Sequence, residues 1–94
     1  MVTGAVAQEG GDPRQGQEVA RQVCARCHAV GKGEGSSPVG NAPTFETIAR
    51  TPGMSPLALT VALRSSHETM PNLVLAPDEH NDVVAYILSL KGGG

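Results

Sequence analysis

The chain has 94 residues, a formal net charge of −2, and few aromatic side chains: one Phe, one Tyr and no Trp. This length suits one domain, the charge offers no basic surface for nucleic acid, and no apolar run is long enough to span a membrane. Because large side chains are scarce, apolar burial alone would hardly offset the entropy of ordering the chain. The composition therefore favours a large buried cofactor.

The chain begins with a stretch that shows no sign of regular structure. Residues 1–11 are small and glycine-rich, so we predict a flexible tail ahead of a single domain over residues 12–94. Ala5-Val6-Ala7 has the small-x-small form of a signal-peptidase site, although the apolar stretch before it is too short for a whole signal peptide. A remnant of a signal peptide is therefore an equally good interpretation of the tail.

The first predicted helix starts at Asp12, a favourable N-cap residue, with Pro13 at the first helical position. Apolar residues then recur at helical spacing and form one stripe: Val19, Ala20, Val23, Cys24 and Cys27. We expect this stripe, including both cysteines, to face the interior.

Cys24-Ala25-Arg26-Cys27-His28 is the most informative stretch of the sequence, because it has the attachment pattern of a c-type haem. Residues i and i+3 share a face of a helix, so both sulfurs can reach the two vinyl-derived carbons on one side of the porphyrin. His28 would then project toward the iron as its proximal ligand. We predict one covalent haem c on Cys24 and Cys27.

Three other interpretations of the cysteine pair carry less weight. Zinc would need four ligands, and the chain has no second pair of soft ligands to complete the site. A thioredoxin-like motif would follow a strand in a βαβ unit, which the sequence does not predict. A disulfide between residues this close would close a very small loop and stabilise little.

Beyond the motif, the pattern alternates between loops and helices. Residues 29–42 and 67–75 lack an apolar period and are predicted to be loops, whereas residues 44–50 and 77–91 are predicted to be helical. The buried stripe of the last helix is expected to comprise Val83, Val84, Ile87, Leu88 and Leu90.

The segment that follows Ser55 and Pro56 is ambiguous. These two residues are typical of a helix start. The alternating residues Leu57, Leu59, Val61 and Leu63 would also fit a strand. The cap residues and the neighbouring alanines favour a helix, so no strand is predicted anywhere in the chain.

An iron held only by His28 would leave one position open to external ligands. Four side chains could close it: Met54, His67, Met70 and His80. Met54 precedes a helix cap and His80 lies among charges, so we expect both at the surface. Met70 is preferred because a thioether tolerates burial and Pro71 restricts the backbone beside it. His67 is interpreted as a solvated loop residue, with a position near a haem propionate as the alternative.

Together these motifs resemble the small class I bacterial cytochromes c. The matching stretches are Gly16, Cys24-Ala25-Arg26-Cys27-His28, Ala42-Pro43-Thr44-Phe45, Met70-Pro71 and Asp82-Val83-Val84-Ala85-Tyr86-Ile87. The resemblance implies an all-α fold of about four helices wrapped round one covalent haem, with the first and last helices crossing where Gly16 meets Tyr86. It also implies that a proline carbonyl accepts a hydrogen bond from His28. Pro43 matches that proline better than Pro38 does, and Pro43 and Phe45 are assigned to the haem site on this match.

An iron ligated by His28 and Met70 has no free site for a substrate, which predicts one-electron transfer rather than enzymatic turnover. The main hypothesis is a monomeric periplasmic carrier that accepts electrons from a dehydrogenase and passes them to an oxidase or reductase. The alternatives are the haem-bearing subunit of a periplasmic dehydrogenase complex and a ligand-binding haem protein with a labile Met70.

The expected docking surface is small and weakly steered by charge. Lys32 and Lys91 are the only lysines, and the five arginines are scattered along the chain. A ring of cations that would attract an acidic partner is therefore not predicted. Such a surface suits a transient encounter with a redox partner protein.

Overall fold

The structure is a computed structural model, and it describes residues 11–65 and 75–92. Within these residues the regular structure is helical: α1 (Pro13–Val19), α2 (Phe45–Ala49), α3 (Pro56–Ser65) and α4 (Pro77–Gly92). One π-helical turn, Ala20–Cys24, continues α1 toward the cysteine motif. The predicted all-α class is confirmed. His67, Met70 and residues 1–10 lie outside the described residues.

The start of α1 is fastened to α4. The Asp12 side chain caps the helix by accepting the Arg14 N–H at 2.9 Å, as predicted. The Asp12 N–H donates in turn to Asp82 Oδ1 at 2.8 Å. Gly11 has φ 81°, and a Cβ added to it would lie 2.3 Å from Asn81 O. The chain just before α1 is therefore packed against the α4 backbone, where a side chain would not fit.

α1 and α4 cross at Gly16, as the resemblance implies. A Cβ at this position would lie 1.9 Å from Asp82 O and 2.8 Å from Tyr86 Cβ. Both distances are below 3.0 Å, a separation that real Cβ atoms essentially never show. The two helix backbones therefore touch at this glycine.

We expect Gly16→Ala to lower the free energy of unfolding by about 1–3 kcal/mol, because overpacking of the crossing outweighs a gain of about 1 kcal/mol in helix propensity. Denaturant unfolding of the haem-loaded protein, followed by circular dichroism, measures the change. Gly35→Ala is the matched control, since a Cβ there meets no atom within 4 Å. Equal unfolding midpoints for the two variants would show that the crossing relaxes without cost.

The hydrophobic core lies against α4. Its buried residues are Ala20, Val30, Phe45, Ala49, Leu59, Val83, Val84, Tyr86, Ile87 and Leu90. The predicted stripe of α4 is confirmed, apart from Leu88, which is half-buried.

The alternating residues of α3 do not form a strand. The Ser55 side chain caps α3 by accepting the Ala58 N–H at 3.1 Å. Leu59 is buried, whereas Leu57 is 73% exposed. The helical interpretation of this segment is therefore confirmed.

The predicted burial of the α1 stripe is wrong in part. Ala20 is fully buried, but Val23 is 40% exposed and Cys27 lies at the surface. The reason is the π-helical turn, in which Ala25 N–H donates to Ala20 O at 3.0 Å, five residues back. This wider turn contains an extra residue and rotates the side chains that follow out of the α-helical register.

Candidate haem-binding site

The cysteine motif forms one more helical turn beyond the π-helical turn. The N–H groups of Cys27 and His28 both donate to Cys24 O, at 3.2 and 3.0 Å. The bond from His28 spans four residues, as in an α-helix, so the motif keeps nearly the spacing that the sequence predicts. Cys24 is half-buried and Cys27 is exposed, and the two do not form a disulfide.

The chemistry of Cys24 bears on the competing interpretations. Burial raises the pKa of the Cys24 thiol to about 11, with a smaller contribution from repulsion by Cys27. A redox-active Cys-x-x-Cys pair depends on a thiol of lowered pKa, so this shift does not fit a thioredoxin-like site. Within residues 11–65 and 75–92, no three His, Cys, Asp or Glu side chains are grouped to hold a metal ion. The described residues therefore offer no zinc site, and the direction of the pKa shift disfavours a thioredoxin-like pair.

The His28 ring is fixed through one of its nitrogens. Nδ1 lies 2.6 Å from Pro43 O. Because a carbonyl oxygen can only accept a hydrogen bond, Nδ1 carries the proton and Nε2 keeps the lone pair that a metal ligand needs. The structure thus brings His28 and Pro43 together, as the resemblance implies for Pro43 rather than Pro38.

Phe45 lies against the same imidazole. Its ring centroid is 5.5 Å from that of His28, and the residue is only 3% exposed. The Phe45 N–H donates to Ala29 O at 2.9 Å. Thr44 caps α2 by accepting the Thr47 N–H at 3.1 Å, so the position of Phe45 follows from the start of this helix. The start of α2 therefore supplies two contacts of the His28 ring.

The segment that follows His28 is held by two side-chain hydrogen bonds that the sequence does not predict. Ser37 Oγ accepts the Ala29 N–H at 2.9 Å. The Tyr86 hydroxyl donates to Val30 O at 2.5 Å. Spacing along the chain contains no signal for either bond, because both depend on how the loop folds back on the helices.

An open cleft of about 610 Å³ lies beside the motif, between its outer face and the loop over residues 29–38. Arg21, His28 and Glu34 are among its lining residues, but neither cysteine is.

Two of the four candidates for the second iron ligand differ from expectation. Met54 is half-buried and packs against the core, and His80 is half-buried with its Nε2 enclosed. The prediction that both lie at the surface is wrong. His80 precedes Val83 and Val84 by about one helical turn, which places it on the buried face of α4. In the described part of the chain, its Nε2 has no hydrogen-bond partner.

The fold and this site define a helical domain suited to a covalent c-type haem. Its two cysteines are one helical turn apart, and the imidazole beside them keeps Nε2 for a metal because Nδ1 is bonded to Pro43 O. The model of the family described as "Cytochrome C oxidase, cbb3-type, subunit III" matches residues 11–87. The chain is also similar to cytochrome c-552 of Bradyrhizobium diazoefficiens, with 35% identity over 80 residues, covering 85% of this chain and 76% of that protein. The chain belongs to this family of c-type cytochromes.

Membership of this family defines the cofactor and the general role. The protein binds one haem c covalently, with its iron, and transfers electrons to and from redox partners. None of the helices in the described ranges is both long enough and apolar enough to cross a membrane.

Proposed function

We propose that the protein is a periplasmic one-electron carrier whose haem is bound by Cys24 and Cys27 and ligated by His28 and Met70. The observation that carries this proposal is the 2.6 Å contact between His28 Nδ1 and Pro43 O, which leaves Nε2 for the iron. When bound, the haem supplies a single centre that alternates between ferric and ferrous iron.

The protein's contribution on the proximal side is a fixed ligand in a dry environment. The hydrogen bond to Pro43 O holds the His28 ring in one tautomer and one orientation. The buried Phe45 ring packs against the imidazole and excludes water from that side. A ligand that does not move between oxidation states favours fast electron transfer.

On the distal side, the proposal rests on the sequence. Met70 lies outside the described residues, in the predicted loop between α3 and α4. Met54, the other methionine of the domain, is already packed against the core. A thioether ligand favours ferrous iron and raises the midpoint potential, as a carrier of high-potential electrons requires.

The surface around Cys27 is the proposed place of electron exchange. Val39 N–H donates to Cys27 O at 3.2 Å, and Val39 is 42% exposed beside this exposed cysteine. Arg26, between the two cysteines, is also exposed. An exposed apolar side chain beside an exposed arginine suits brief contact with a dehydrogenase that donates electrons and an oxidase or reductase that accepts them.

The second candidate function is a haem-bearing subunit of a periplasmic dehydrogenase or related oxidoreductase complex. The matched family is described as an oxidase subunit. In addition, α3 exposes Leu57 and Val61, two apolar side chains one turn apart. Purification under mild conditions separates the candidates: a carrier elutes as a monomer, whereas a subunit elutes with a catalytic chain.

Absorption spectra of the oxidised and reduced protein test the main proposal. We expect a covalent c-type haem, the weak red-end band of methionine-ligated ferric iron, and a one-electron redox titration. The reduced protein should not bind carbon monoxide, because both axial positions are filled. Rapid carbon monoxide binding would contradict the proposal and favour the ligand-binding alternative. Recovery of the haem-stained chain in the periplasmic fraction tests the location.

A further inference from the structure

We infer that the Tyr86 hydroxyl is a positioning group for the iron ligand His28. It holds Val30 O and thereby stabilises the backbone geometry of the His28–Pro43 hydrogen bond. This inference deepens the proposed function and rests on it, because it requires His28 to ligate the iron. Tyr86 acts through the backbone and through Phe45.

The Tyr86 hydroxyl is bonded to the segment that follows His28. The Tyr86 Oη lies 2.5 Å from Val30 O, and the two residues are 56 positions apart in the chain. Tyr86 is 5% exposed and Val30 is 6% exposed, so the bond lies inside the core. A buried carbonyl that loses its donor is costly to leave unsatisfied, so the loop would shift in search of another partner.

The residues next to Val30 connect its carbonyl to the His28 imidazole. Ala29 O, one residue before Val30, accepts the Phe45 N–H at 2.9 Å. Pro43, two residues before Phe45, accepts from His28 Nδ1 at 2.6 Å. Three consecutive residues are therefore held in place. The segment at the start of α2 holds His28 and Ala29, and α4 holds Val30. A displacement of Val30 moves Ala29 and His28 relative to Pro43.

Ring contacts through Phe45 also connect Tyr86 to His28. The Phe45 ring lies between the other two, with its centroid 5.5 Å from that of His28 and 6.4 Å from that of Tyr86. The Tyr86 ring thus supports Phe45 as its hydroxyl supports Val30. Both routes lead from α4 to the proximal imidazole.

The Tyr86 hydroxyl would affect function through the basicity of His28 and thus through the midpoint potential of the iron. A hydrogen bond from Nδ1 to a carbonyl raises the basicity of the imidazole, which favours ferric iron. If the Tyr86 hydroxyl is lost, the bond to Pro43 weakens and the midpoint potential rises. A purely structural role would lower stability without moving the potential in this direction.

The test compares Tyr86→Phe with Ile87→Val in the haem-loaded protein. Tyr86→Phe removes one hydroxyl and keeps the ring, whereas Ile87→Val removes a methylene from a neighbouring residue that is 1% exposed. We expect Tyr86→Phe to shift the midpoint potential to a more positive value. We also expect its Phe45 amide to exchange faster with solvent, relative to the buried Leu59 amide of α3. In Ile87→Val the potential and the ratio of the two exchange rates should match the wild type.

A second measurement keeps the inference testable if Tyr86→Phe does not retain its haem. Tyr86 is the only tyrosine, so growth with 3-fluorotyrosine labels this position alone. The fluorinated phenol is a stronger donor, and the midpoint potential should move to a more negative value. An unchanged potential in the fluorinated protein, or equal potentials for Tyr86→Phe and Ile87→Val, would overturn the inference. A wild-type spectrum without a histidine-ligated haem would overturn the proposed function itself.

Discussion

Replacing both cysteines, as Cys24→Ala with Cys27→Ala, is expected to abolish covalent haem binding completely and to leave a chain without fixed tertiary structure. The physical reason is that the hydrophobic core contains few large side chains. Among the residues that the structure describes, the largest fully buried side chains are Ile87 and Val83, and the whole chain has only two aromatic residues, Phe45 and Tyr86. So little apolar burial cannot offset the entropy of ordering the backbone without the macrocycle.

Three measurements check this expectation. Haem staining after denaturing electrophoresis should show colour that travels with the wild-type chain and no colour with the double variant. Acidified acetone should fail to extract the wild-type haem. Thermal unfolding of the haem-free variant should be broad and weakly cooperative. Ser89→Ala, which removes only a hydroxyl that donates to Tyr86 O at 2.6 Å in α4, is the control and should behave like the wild type. A sharp cooperative transition in the double variant would show that the chain folds without its cofactor.

The helix starts could be predicted because they depend on local chemistry. α1, α3 and α4 each begin with a proline, and α2 follows the capping residue Thr44. A proline at the first helical position and a side-chain cap act within a few residues, so the sequence alone contains the signal. The apolar stripe of α4 was predictable for the same reason, since its period of 3.6 is a property of the helix itself.

The orientation of the cysteine motif could not be predicted in this way. The π-helical turn Ala20–Cys24 shifts the helical register by one residue, and Val23 within it is exposed. The burial of His80 was missed because its charged neighbours suggested a solvated surface, although its register on α4 matches that of Val83 and Val84. Both features arise from how helices pack, which a local pattern does not contain.

Some residues of the site could be predicted from a sequence motif, others only from a family resemblance, and one contact from neither. The haem-attachment motif is a contiguous pattern, so Cys24, Cys27 and His28 could be proposed directly. Pro43 and Phe45 could be proposed only from the resemblance to cytochromes c, because nothing in their spacing links them to the motif. The bond between Tyr86 and Val30 O could not be predicted from either, since the acceptor is a backbone carbonyl and every residue carries one.

Met70→Ala is expected to remove the weak red-end band of the ferric protein, to open the reduced iron to carbon monoxide, and to lower the midpoint potential. The potential falls because the thioether, which favours ferrous iron, is lost. Met70→His should keep both axial positions filled and exclude carbon monoxide. Its potential should nevertheless fall, because imidazole lacks the thioether's preference for ferrous iron. Absorption spectroscopy and a redox titration of each variant measure these effects.

The controls for Met70 come from the other candidate ligands. Met54→Leu keeps the volume of a side chain that packs against the core, and it should leave the spectrum and the potential unchanged. His80→Ala should also leave them unchanged, although its enclosed Nε2 makes it the strongest competitor among the described residues. An unaltered spectrum in Met70→Ala, together with loss of the sixth ligand in His80→Ala or Met54→Leu, would reassign the distal ligand. A histidine ligand would preserve the electron-transfer role at a lower potential. An iron with no sixth ligand in any form of the protein would instead support ligand binding, because only an occupied distal position closes the iron to small molecules.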